Sequence, residues 1–302
     1  METAEAINEL TAATGLVVTP KEGSKLTTYS IGGMLAKLVE VNSTDELLSL
    51  VRFITETGEN FRILGAGSNL LLPDAGLDQW VIKLGKGFRQ VEKLRGGSFR
   101  VMGAMPLIVL SHQLSAAGYS GLEFAGGIPA SFGGAIYMNA GAHGGEIVDL
   151  VKSITVVTVD GELLELPQAE LNFTYRKSNL PKSSMVVSAE IELIPGSSDQ
   201  ILQTRAYYLS ERKKNQPITL PSSGSVFKNP KERGSAGRII ESLGLKGVSV
   251  GGAQISEHHA NWIVNKDRLA TANEVLELVR LCQDRALTER GVRLETELIY
   301  WG

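Results

Sequence analysis

The sequence is poor in cysteine and histidine, and this shortage excludes two kinds of protein. Cys282 is the only cysteine in the 302 residues, so no disulfide can form within the chain, and the reducing cytoplasm is the expected compartment. Only four histidines accompany it, so a metal site built from protein ligands is not expected. Apolar runs are also short, and none approaches the roughly 18 residues of a membrane-spanning helix. No membrane association is therefore predicted.

Excess charge of either sign is missing as well. The chain has 30 lysines and arginines against 33 aspartates and glutamates, a formal net charge of −3. Because it has no basic surplus to neutralise a phosphate backbone, nucleic acid is not an expected partner. With 43% hydrophobic and 21% charged residues, the composition is that of a globular protein, and the length corresponds to about two domains.

Glycine is abundant, at 33 residues, and much of it is clustered. The first cluster, Gly65-Ala66-Gly67-Ser68-Asn69, follows a predicted buried strand at 61–64. Small residues let successive backbone N–H groups approach a phosphate, although an ordinary tight turn is an equal alternative. No Gly-Lys-Ser/Thr follows, so this is not a P-loop, and Leu70 stands where the dinucleotide-binding fingerprint has its third glycine.

The second cluster is residues 121–145, GLEFAGGIPASFGGAIYMNAGAHGG. Pro129 is predicted at the first position of a helix, where unbonded N–H groups could receive a diphosphate. Gly133 and Gly134 would permit close approach of a flat ligand or of another helix, and simple packing is the alternative. Two glycine-rich segments in one domain favour a long ligand with an extended diphosphate.

The remaining pattern is mixed α and β with short strands. Capping boxes at Ser43/Glu46 and Thr271/Glu274 predict helices that end near Gly58 and at about Arg290. Ser198 is predicted to cap a helix at 199–214, after a linker at 195–198, and the chain ends in a predicted strand at 293–300.

Three polar groups stand out, although each alone is more often structural. Arg176 follows a strand-like segment. Ser225, Lys228 and Asn229 lie in a rigid turn between two prolines, and Ser225 lacks the Gly-x-Ser-x-Gly setting of a hydrolase nucleophile. In the terminal strand, period-2 alternation places Glu295 on the same face as Glu297.

Taken together and in order, these segments resemble the UDP-N-acetylenolpyruvoylglucosamine reductase (UDP-N-acetylmuramate dehydrogenase) family, flavoenzymes of bacterial cell-wall precursor synthesis. The resemblance covers nearly the whole chain. It rests on eight strings, at residues 27–33, 64–71, 121–145, 175–178, 216–217, 224–230, 256–261 and 294–297. Arg176 and Ser225 are 49 positions apart, so the chain resembles the shorter type of the family, without the insertion that carries a tyrosine.

The resemblance implies an α+β protein with an FAD-binding fold of the vanillyl-alcohol oxidase type in two subdomains, followed by a C-terminal α+β substrate-binding domain. The corresponding boundaries are 1–85 and 86–197 for the two subdomains and 198–302 for the substrate domain. The last strand either stays in that domain or returns to the FAD-binding part.

The family's functional positions carry over residue by residue. The implied catalytic residues are Arg176, Ser225 and Glu297, and the implied contacts to the UDP-sugar are Lys228, Asn229, Arg212 and His259. The implied FAD-binding residues are Gly65, Ala66, Gly67, Ser68, Asn69, Gly127, Ile128, Pro129, Ser131, Gly133, Gly134, Asn139 and Gly141. The flavin is expected to be non-covalent, because Cys282 lies in a predicted helix and no histidine lies at 65–69 or 127–141.

The implied activity is NADPH-dependent reduction of the enolpyruvyl group of UDP-N-acetylglucosamine enolpyruvate to the lactyl ether. The product, UDP-N-acetylmuramate, serves peptidoglycan synthesis and thereby cell shape and division. No obligate protein partner is inferred. Two alternatives stay open at this point: another flavin oxidoreductase of the same fold that passes electrons from a sugar or alcohol to oxygen, and a non-catalytic nucleotide-binding module.

Overall fold

The computed structural model describes residues 3–181, 183–231 and 233–302, and it divides into two compact units. Unit 1 comprises Met1–Pro20, Ala36–Ala66 and Asp78–Ser210. Unit 2 comprises Lys21–Leu35, Gly67–Leu77 and Glu211–Gly302. The chain therefore passes from one unit to the other within the first glycine cluster. The sequence-based boundaries at 85/86 and 197/198 stay a prediction.

Helices and short strands alternate along the chain. The helices are α1 (Thr3–Thr14), α2 (Thr44–Glu56), α3 (Leu107–Ala116), α4 (Phe132–Tyr137), α5 (Ser198–Asn215), α6 (Ala236–Ser242) and α7 (Ala272–Arg290). The strands are β1 (Lys21–Glu22), β2 (Met34–Val41), β3 (Phe61–Ile63), β4 (Leu70–Leu71), β5 (Leu77–Leu84), β6 (Val91–Lys93), β7 (Ser98–Met102), β8 (Tyr119–Ser120), β9 (Gly141–Ala142), β10 (Gly145–Glu146), β11 (Val151–Val157), β12 (Leu163–Pro167), β13 (Met185–Glu192), β14 (Ile194–Pro195), β15 (Ser249–Val250), β16 (Ala253–Ile255), β17 (Ile263–Asn265) and β18 (Ile299–Tyr300).

Unit 1 is built on two sheets. Five antiparallel strands in the order β12-β11-β13-β7-β6 form one, and α3 and α4 share its hydrophobic core through Leu107, Leu110 and Phe132. In the other sheet β5 lies between β2 and β3, with β3 parallel to it, and α2 buries the apolar face that includes Leu47 and Ile54 in the core around Trp80. The antiparallel β6–β7 pair confirms the hairpin predicted at 87–102.

Unit 2 packs α6 and α7 with the three-stranded antiparallel sheet β15-β16-β17. The N-terminal segment adds Tyr29 and Ile31 to this core, and the 67–77 segment adds Leu71. β18 pairs in parallel with β4, so the last strand and the end of the first glycine cluster lie side by side in unit 2.

The predicted helix signals are confirmed in part. Thr271 and Glu274 form both bonds of a capping box, and Gly291 ends α7 at φ 64°. At α2, Ser43 accepts from the Glu46 N–H as predicted, but the Glu46 carboxylate accepts from the Asn42 N–H, so only half of that box exists.

Two predictions near the second domain boundary are wrong. Ser198 is the first residue of α5 rather than its cap. The predicted linker begins in β14, which pairs with β8, and the Gly196 N–H donates to the Gly118 carbonyl. Backbone hydrogen bonds thus hold a segment whose Pro-Gly-Ser-Ser composition is typical of a linker.

The predicted strand at 293–300 is regular only at its end, in β18. The N–H groups of Glu297 and Leu298 both reach the Val226 carbonyl, at 2.8 and 3.3 Å. Two successive N–H groups on one acceptor interrupt the alternation that a strand ladder requires.

None of the helices in the described part of the chain combines the length and the apolar character needed to cross a membrane. Residues 3–181, 183–231 and 233–302 also contain no group of three or more histidine, cysteine or acidic side chains suited to hold a metal ion.

Candidate functional site

The two glycine clusters meet in unit 1 at one hydroxyl group. Ser131 caps α4, and its Oγ accepts from the Gly134 N–H at 3.2 Å. A Cβ atom added to Gly65 would lie 2.9 Å from this Oγ, and one added to Gly134 would lie 3.0 Å from it. Both distances are too short for ordinary contact, so glycine at these two positions keeps a surface of bare backbone beside Ser131.

The helix in the second cluster begins three residues later than predicted. Pro129 lies in a loop, and α4 begins at Phe132. The chain before it is held extended, because the Leu107 N–H donates to the Ala130 carbonyl and Pro106 bridges to Ser131. The prediction of a helix starting at Pro129 is therefore wrong.

The N–H groups of Phe132, Gly133 and Gly134, in the first turn of α4, all have hydrogen-bond partners within the protein. Those of Phe132 and Gly133 donate to the carbonyls of Met105 and Gly103, each at 2.8 Å, and that of Gly134 goes to the Ser131 hydroxyl. A Cβ on Gly133 would lie 3.1 Å from the carbonyl oxygens of Gly103 and Val186. Gly133 thus serves packing, the alternative left open by the sequence.

Arg176 lies between β12 and β13, also in unit 1, and contacts the loop that follows α4. Its Nη2 donates to the Gly141 carbonyl at 2.9 Å and its Nη1 to the Asn139 carbonyl at 3.4 Å. A Cβ on Gly141 would lie 3.2 Å from Nη1. The guanidinium also lies over the Tyr175 ring, 4.9 Å from its centroid. The half-buried Arg176 is therefore positioned by backbone carbonyls and one aromatic face.

The side chain of Asn139 stabilises this loop. It is buried, donates to Glu146 Oε2 at 2.8 Å and to the Thr174 carbonyl at 3.2 Å, and accepts from the Val148 N–H. These bonds connect the loop under Arg176 to the segment that carries Arg176. A side chain predicted to bind a cofactor is thus occupied by protein partners.

In unit 2, the end of the first glycine cluster contacts the segment that carries Glu297. Gly67 has φ +67°, and a Cβ there would lie 2.1 Å from the Leu26 carbonyl oxygen. Asn69 Nδ2 donates to the Glu297 carbonyl at 2.8 Å, and the Ile299 N–H donates to the Asn69 carbonyl. Here too only glycine fits the turn, and Asn69 fixes the backbone of a predicted catalytic residue.

The backbones at Ser225 and Glu297 are neighbours. The Glu297 N–H donates to the carbonyl of Val226, the residue after Ser225, at 2.8 Å. Asn261 holds the Ser225 loop from the other side: its Oδ1 accepts from the Phe227 N–H at 2.9 Å, and its Nδ2 donates to the Phe227 carbonyl at 2.8 Å. The fold therefore brings two of the three predicted catalytic residues together within unit 2, whereas Arg176 belongs to unit 1.

The two glutamates of the last segment differ in their surroundings. The Glu295 side chain is 74% exposed and pairs with Lys228 Nζ at 2.6 Å. Glu297 is half-buried, and its backbone is bonded at both N–H and carbonyl. The shared face predicted from alternation does not give them the same environment, and only Glu297 is enclosed.

The predicted sugar-nucleotide residues are all in unit 2. Asn229 Oδ1 accepts from the Ala236 N–H at 3.0 Å, at the start of α6. Arg212 lies in the last turn of α5, where burial lowers its pKa. Burial, followed by the nearby Lys246 and His258 charges, also lowers the pKa of His259. Because His259 Nδ1 accepts from the Asn261 N–H at 3.2 Å, the neutral ring carries its proton on Nε2.

A cavity of about 580 Å³ opens in unit 2 beside this group. It is lined by residues 216–220 together with Lys213 and His258. His258 Nε2 lies 2.8 Å from the Lys214 carbonyl, which joins the end of α5 to the loop that carries both histidines.

The comparisons with known proteins also divide the chain into two parts. A family model described as "FAD binding domain" matches residues 35–167, and one described as "UDP-N-acetylenolpyruvoylglucosamine reductase, C-terminal domain" matches residues 216–301. The reductase of Anoxybacillus flavithermus is 40% identical over 93% of this chain and 94% of its own. Reductase 2 of Symbiobacterium thermophilum is 41% identical over 91% of this chain and 89% of its own. The crystal structure of the Thermus caldophilus reductase covers 95% of this chain and 100% of its own, at 38% identity and a TM-score of 0.83.

This chain belongs to the UDP-N-acetylenolpyruvoylglucosamine reductase family. The predicted α+β fold, with an FAD-binding domain and a separate C-terminal domain, is confirmed, and the protein is an FAD-dependent oxidoreductase. In this reductase Gly65 and Gly134 leave bare backbone on either side of the Ser131 hydroxyl, and backbone without side chains is what close approach of a cofactor requires.

Sequence reasoning missed the residues that hold the reductase site in place. Asn261 lies in a string that carries the family resemblance, but no local pattern indicates what it binds. The cavity-lining residues Lys213, Ile218 and His258 likewise have no sequence signature of their own. The one signal for the cavity is the spacing of Pro217 and Pro221, which stiffens its loop.

Proposed function

We propose that this reductase uses NADPH, through FAD, to reduce the enolpyruvyl group of UDP-N-acetylglucosamine enolpyruvate, giving UDP-N-acetylmuramate for peptidoglycan synthesis. Family membership over more than nine-tenths of the chain supports the reaction. The observation that carries it to individual residues is the bond from the Glu297 N–H to the Val226 carbonyl, because it holds Ser225 and Glu297 at one place.

FAD, when bound, supplies the chemistry that carries a hydride from NADPH to the substrate. We propose that Gly65, Ala66, Gly67, Ser68 and Asn69 would hold it together with the loop around Ser131. The remaining members of that loop set are Gly127, Ile128, Pro129, Gly134 and Gly141, whereas Gly133 and Asn139 are proposed to act by packing under the loop and by holding its shape. The α4 N-terminus contributes little to a diphosphate, because its first N–H groups are bonded within the protein. The exposed backbone of the turns is the better donor surface.

Arg176 is proposed to stabilise the enolate that forms when the vinyl group accepts a hydride. The negative charge spreads onto the substrate carboxylate, and a guanidinium is permanently charged and can donate two parallel hydrogen bonds to such a group. Its two bonds to backbone carbonyls orient the planar group.

Ser225 is proposed to donate the proton that completes the reduction. A serine hydroxyl is a weak acid, so the strong basicity of the substrate enolate must drive the transfer. Lys228 Nζ is paired with Glu295, so it is poorly placed to assist this proton transfer. Glu297 would donate a hydrogen bond to the enolate, and to do so it must hold its proton in its half-buried position.

The UDP-sugar is proposed to bind in unit 2, close to the 580 Å³ cavity that Lys213 and His258 help to line. Arg212 and Lys228 supply positive charge, and Asn229 and the Nε2–H of His259 supply neutral hydrogen bonds. The Lys228–Glu295 pair lies at the surface, so a phosphate could replace Glu295 at little cost.

Non-covalent flavin and a cytoplasmic location are proposed alongside. Cys282 is buried in the unit 2 core, where burial raises the pKa of its thiol to about 12, so it is unsuited to flavin attachment. Acid precipitation should therefore release all the yellow colour, and colour kept in the pellet would contradict this.

The reaction is tested by mixing the FAD-loaded enzyme with NADPH and UDP-N-acetylglucosamine enolpyruvate without oxygen. Mass spectrometry should find a product heavier by one hydride and one proton. A flavin that is reduced by NADPH but oxidised only by oxygen, with no new product, would overturn the proposal and favour an oxidase of the same fold.

A further inference from the structure

Thr28 in unit 2 joins two segments that the proposed function uses separately. Its N–H donates to the Gly67 carbonyl at 3.1 Å, in the turn proposed to hold FAD. Its Oγ1 donates to the Ser222 carbonyl at 2.7 Å, and the Ser222 N–H donates back to the Thr28 carbonyl at 3.1 Å. Ser222 lies three residues before Ser225. One exposed threonine thus contacts both the flavin turn and the start of the proton-donor loop.

The surrounding contacts leave little freedom between these two segments. A Cβ on Gly67 would lie 2.1 Å from the Leu26 carbonyl oxygen, so the backbone of this turn packs directly against the backbone of the segment that carries Thr28. The next residue, Tyr29, is fully buried and its hydroxyl donates to the Ile263 carbonyl at 2.8 Å. The backbone at Thr28 is therefore held in place by its neighbours. The hydrogen bond from the Thr28 hydroxyl in turn fixes the position of the Ser222 backbone.

The far end of the Ser225 loop is held by Asn261 and by the Lys228 N–H, which donates to the Glu295 carbonyl at 2.9 Å. Before Ser225, the buried Ser223 and half-buried Gly224 separate it from Ser222, and Gly224 has φ +79° with open space around its Cβ position. A glycine there allows the backbone to pivot. The Thr28–Ser222 pair holds the chain two residues before that pivot, next to Pro221, whose carbonyl accepts from the Asn265 N–H at 2.9 Å.

We propose that Thr28 is a positioning residue that sets the Ser225 hydroxyl at a fixed distance from the flavin turn, so that proton delivery matches hydride delivery. This rests on the proposed role of Ser225. Thr28 itself contributes no proton and no charge. A shift of the order of 1 Å in a reacting group can cost about 100-fold in rate, so loss of the Thr28–Ser222 hydrogen bond should be visible in the step that uses Ser225.

The test compares Thr28→Val, which keeps the shape and loses the hydroxyl, with Thr28→Ser, which restores it. Thr27→Val is the matched control, because the Thr27 Oγ1 bonds only to the Ile31 carbonyl within the same segment. Rapid mixing without oxygen measures flavin reduction by NADPH and reoxidation by the enolpyruvyl substrate separately. We expect Thr28→Val to slow reoxidation by about 10- to 100-fold with reduction unchanged, Thr28→Ser to stay near the parent, and Thr27→Val to leave both rates unchanged.

A second measurement does not depend on activity. Amide hydrogen exchange in the FAD-loaded protein should quicken several-fold at residues 222–228 in Thr28→Val and not in Thr27→Val. Reoxidation within about twofold of the parent, or equal slowing of both half-reactions without rescue by Thr28→Ser, would overturn the proposal.

A different variant, Ser225→Ala, tests the proposed function separately from the role of Thr28. If Ser225→Ala slows flavin reduction as much as reoxidation, Ser225 is not the proton donor, whatever Thr28 does. If Ser225→Ala slows reoxidation alone, Thr28→Val in that background should add no further loss, because Thr28 acts through Ser225. An additional loss of the full size in the double variant would refute the positioning role and leave the proposed function standing.

Discussion

The two units form their parts of the site by opposite means. In unit 1 the site surface depends on missing side chains: Gly65 and Gly134 leave backbone bare around Ser131, and Arg176 rests on backbone carbonyls. In unit 2 the site depends on side chains that replace regular strand partners, as Asn261 does for Phe227 and Asn69 does for Glu297. Unit 1 should therefore be sensitive to added atoms, and unit 2 to removed hydrogen bonds.

The units also differ in the chemistry that they carry. Arg176 of unit 1 offers a permanent charge, whereas Ser225 of unit 2 offers a proton. The sharpest way to separate the two contributions is to remove the proton and keep the charge.

Ser225→Ala is expected to have the largest effect. Loss of one positioned acid typically costs about 10²–10⁴-fold, well beyond the roughly tenfold that a lost neutral hydrogen bond explains. Reoxidation of the flavin by the enolpyruvyl substrate should fall by that factor, whereas reduction by NADPH and the affinity for the UDP-sugar should change little. Rapid-mixing absorbance measures both halves, and the exposed Ser249→Ala serves as the control.

Gly65→Ala should weaken FAD binding. The new methyl group would lie 2.9 Å from Ser131 Oγ, and overpacking of this kind costs about 1–3 kcal/mol, or roughly 5- to 150-fold in affinity. Fluorescence titration of the apo-protein with FAD measures it. Gly196→Ala, where the nearest atom would be at an ordinary 3.4 Å, is the matched control.

Relief of the same clash sharpens this prediction. Replacing Ser131 by glycine removes the Oγ and keeps a residue tolerated as a helix cap. Gly65→Ala combined with Ser131→Gly should therefore bind FAD more tightly than Gly65→Ala alone. Equal affinities in the two variants would show that the Ser131 hydroxyl does not set the shape of this surface.

Asn261→Ala tests the opposite sensitivity in unit 2. The change leaves the buried N–H and carbonyl of Phe227 without their partners, which should cost about 2–4 kcal/mol of unfolding free energy. Urea unfolding of the FAD-loaded protein measures the loss. The exposed Asn273→Ala, in the first turn of α7, should stay within about 0.5 kcal/mol. A loss no larger than that of the control would contradict the role given to Asn261.

The smallest effect concerns pH. Burial holds the pKa of His259 below its ordinary value, so below about pH 6.5 the unfolded chain binds a proton that the folded chain does not. Stability should thus fall as the pH drops through that region and should be unaffected above it. His259→Gln should reduce this acid-side loss in a series of thermal melts, whereas the exposed His258→Gln should not. Parallel curves for the parent and His259→Gln would refute the assignment.

Prediction from sequence worked where one short segment contains the whole physical cause. The Thr271/Glu274 capping box and the Gly291 end of α7 need only each other, and both are confirmed. It was wrong where a distant backbone competes: Pro129 was predicted to open a helix, but the bond from Leu107 to Ala130 keeps that stretch extended. The same holds for 293–298, where one carbonyl of Val226 accepts two N–H groups.

The sequence by itself determined the family, the cofactor class and the segments that carry the site, because small residues and charged groups at fixed local spacings are visible in one dimension. Only the tertiary structure decided which of these groups meet. It placed Gly65 against Ser131, Glu297 beside Val226 and Thr28 beside Ser222, and the two residues of each pair are 66 to 194 positions apart in the sequence. Thr28 also contacts Gly67, which is closer to it in the sequence. Such contacts form because buried and half-buried polar groups must find hydrogen-bond partners wherever the packed core brings one within reach, and no local pattern encodes that choice.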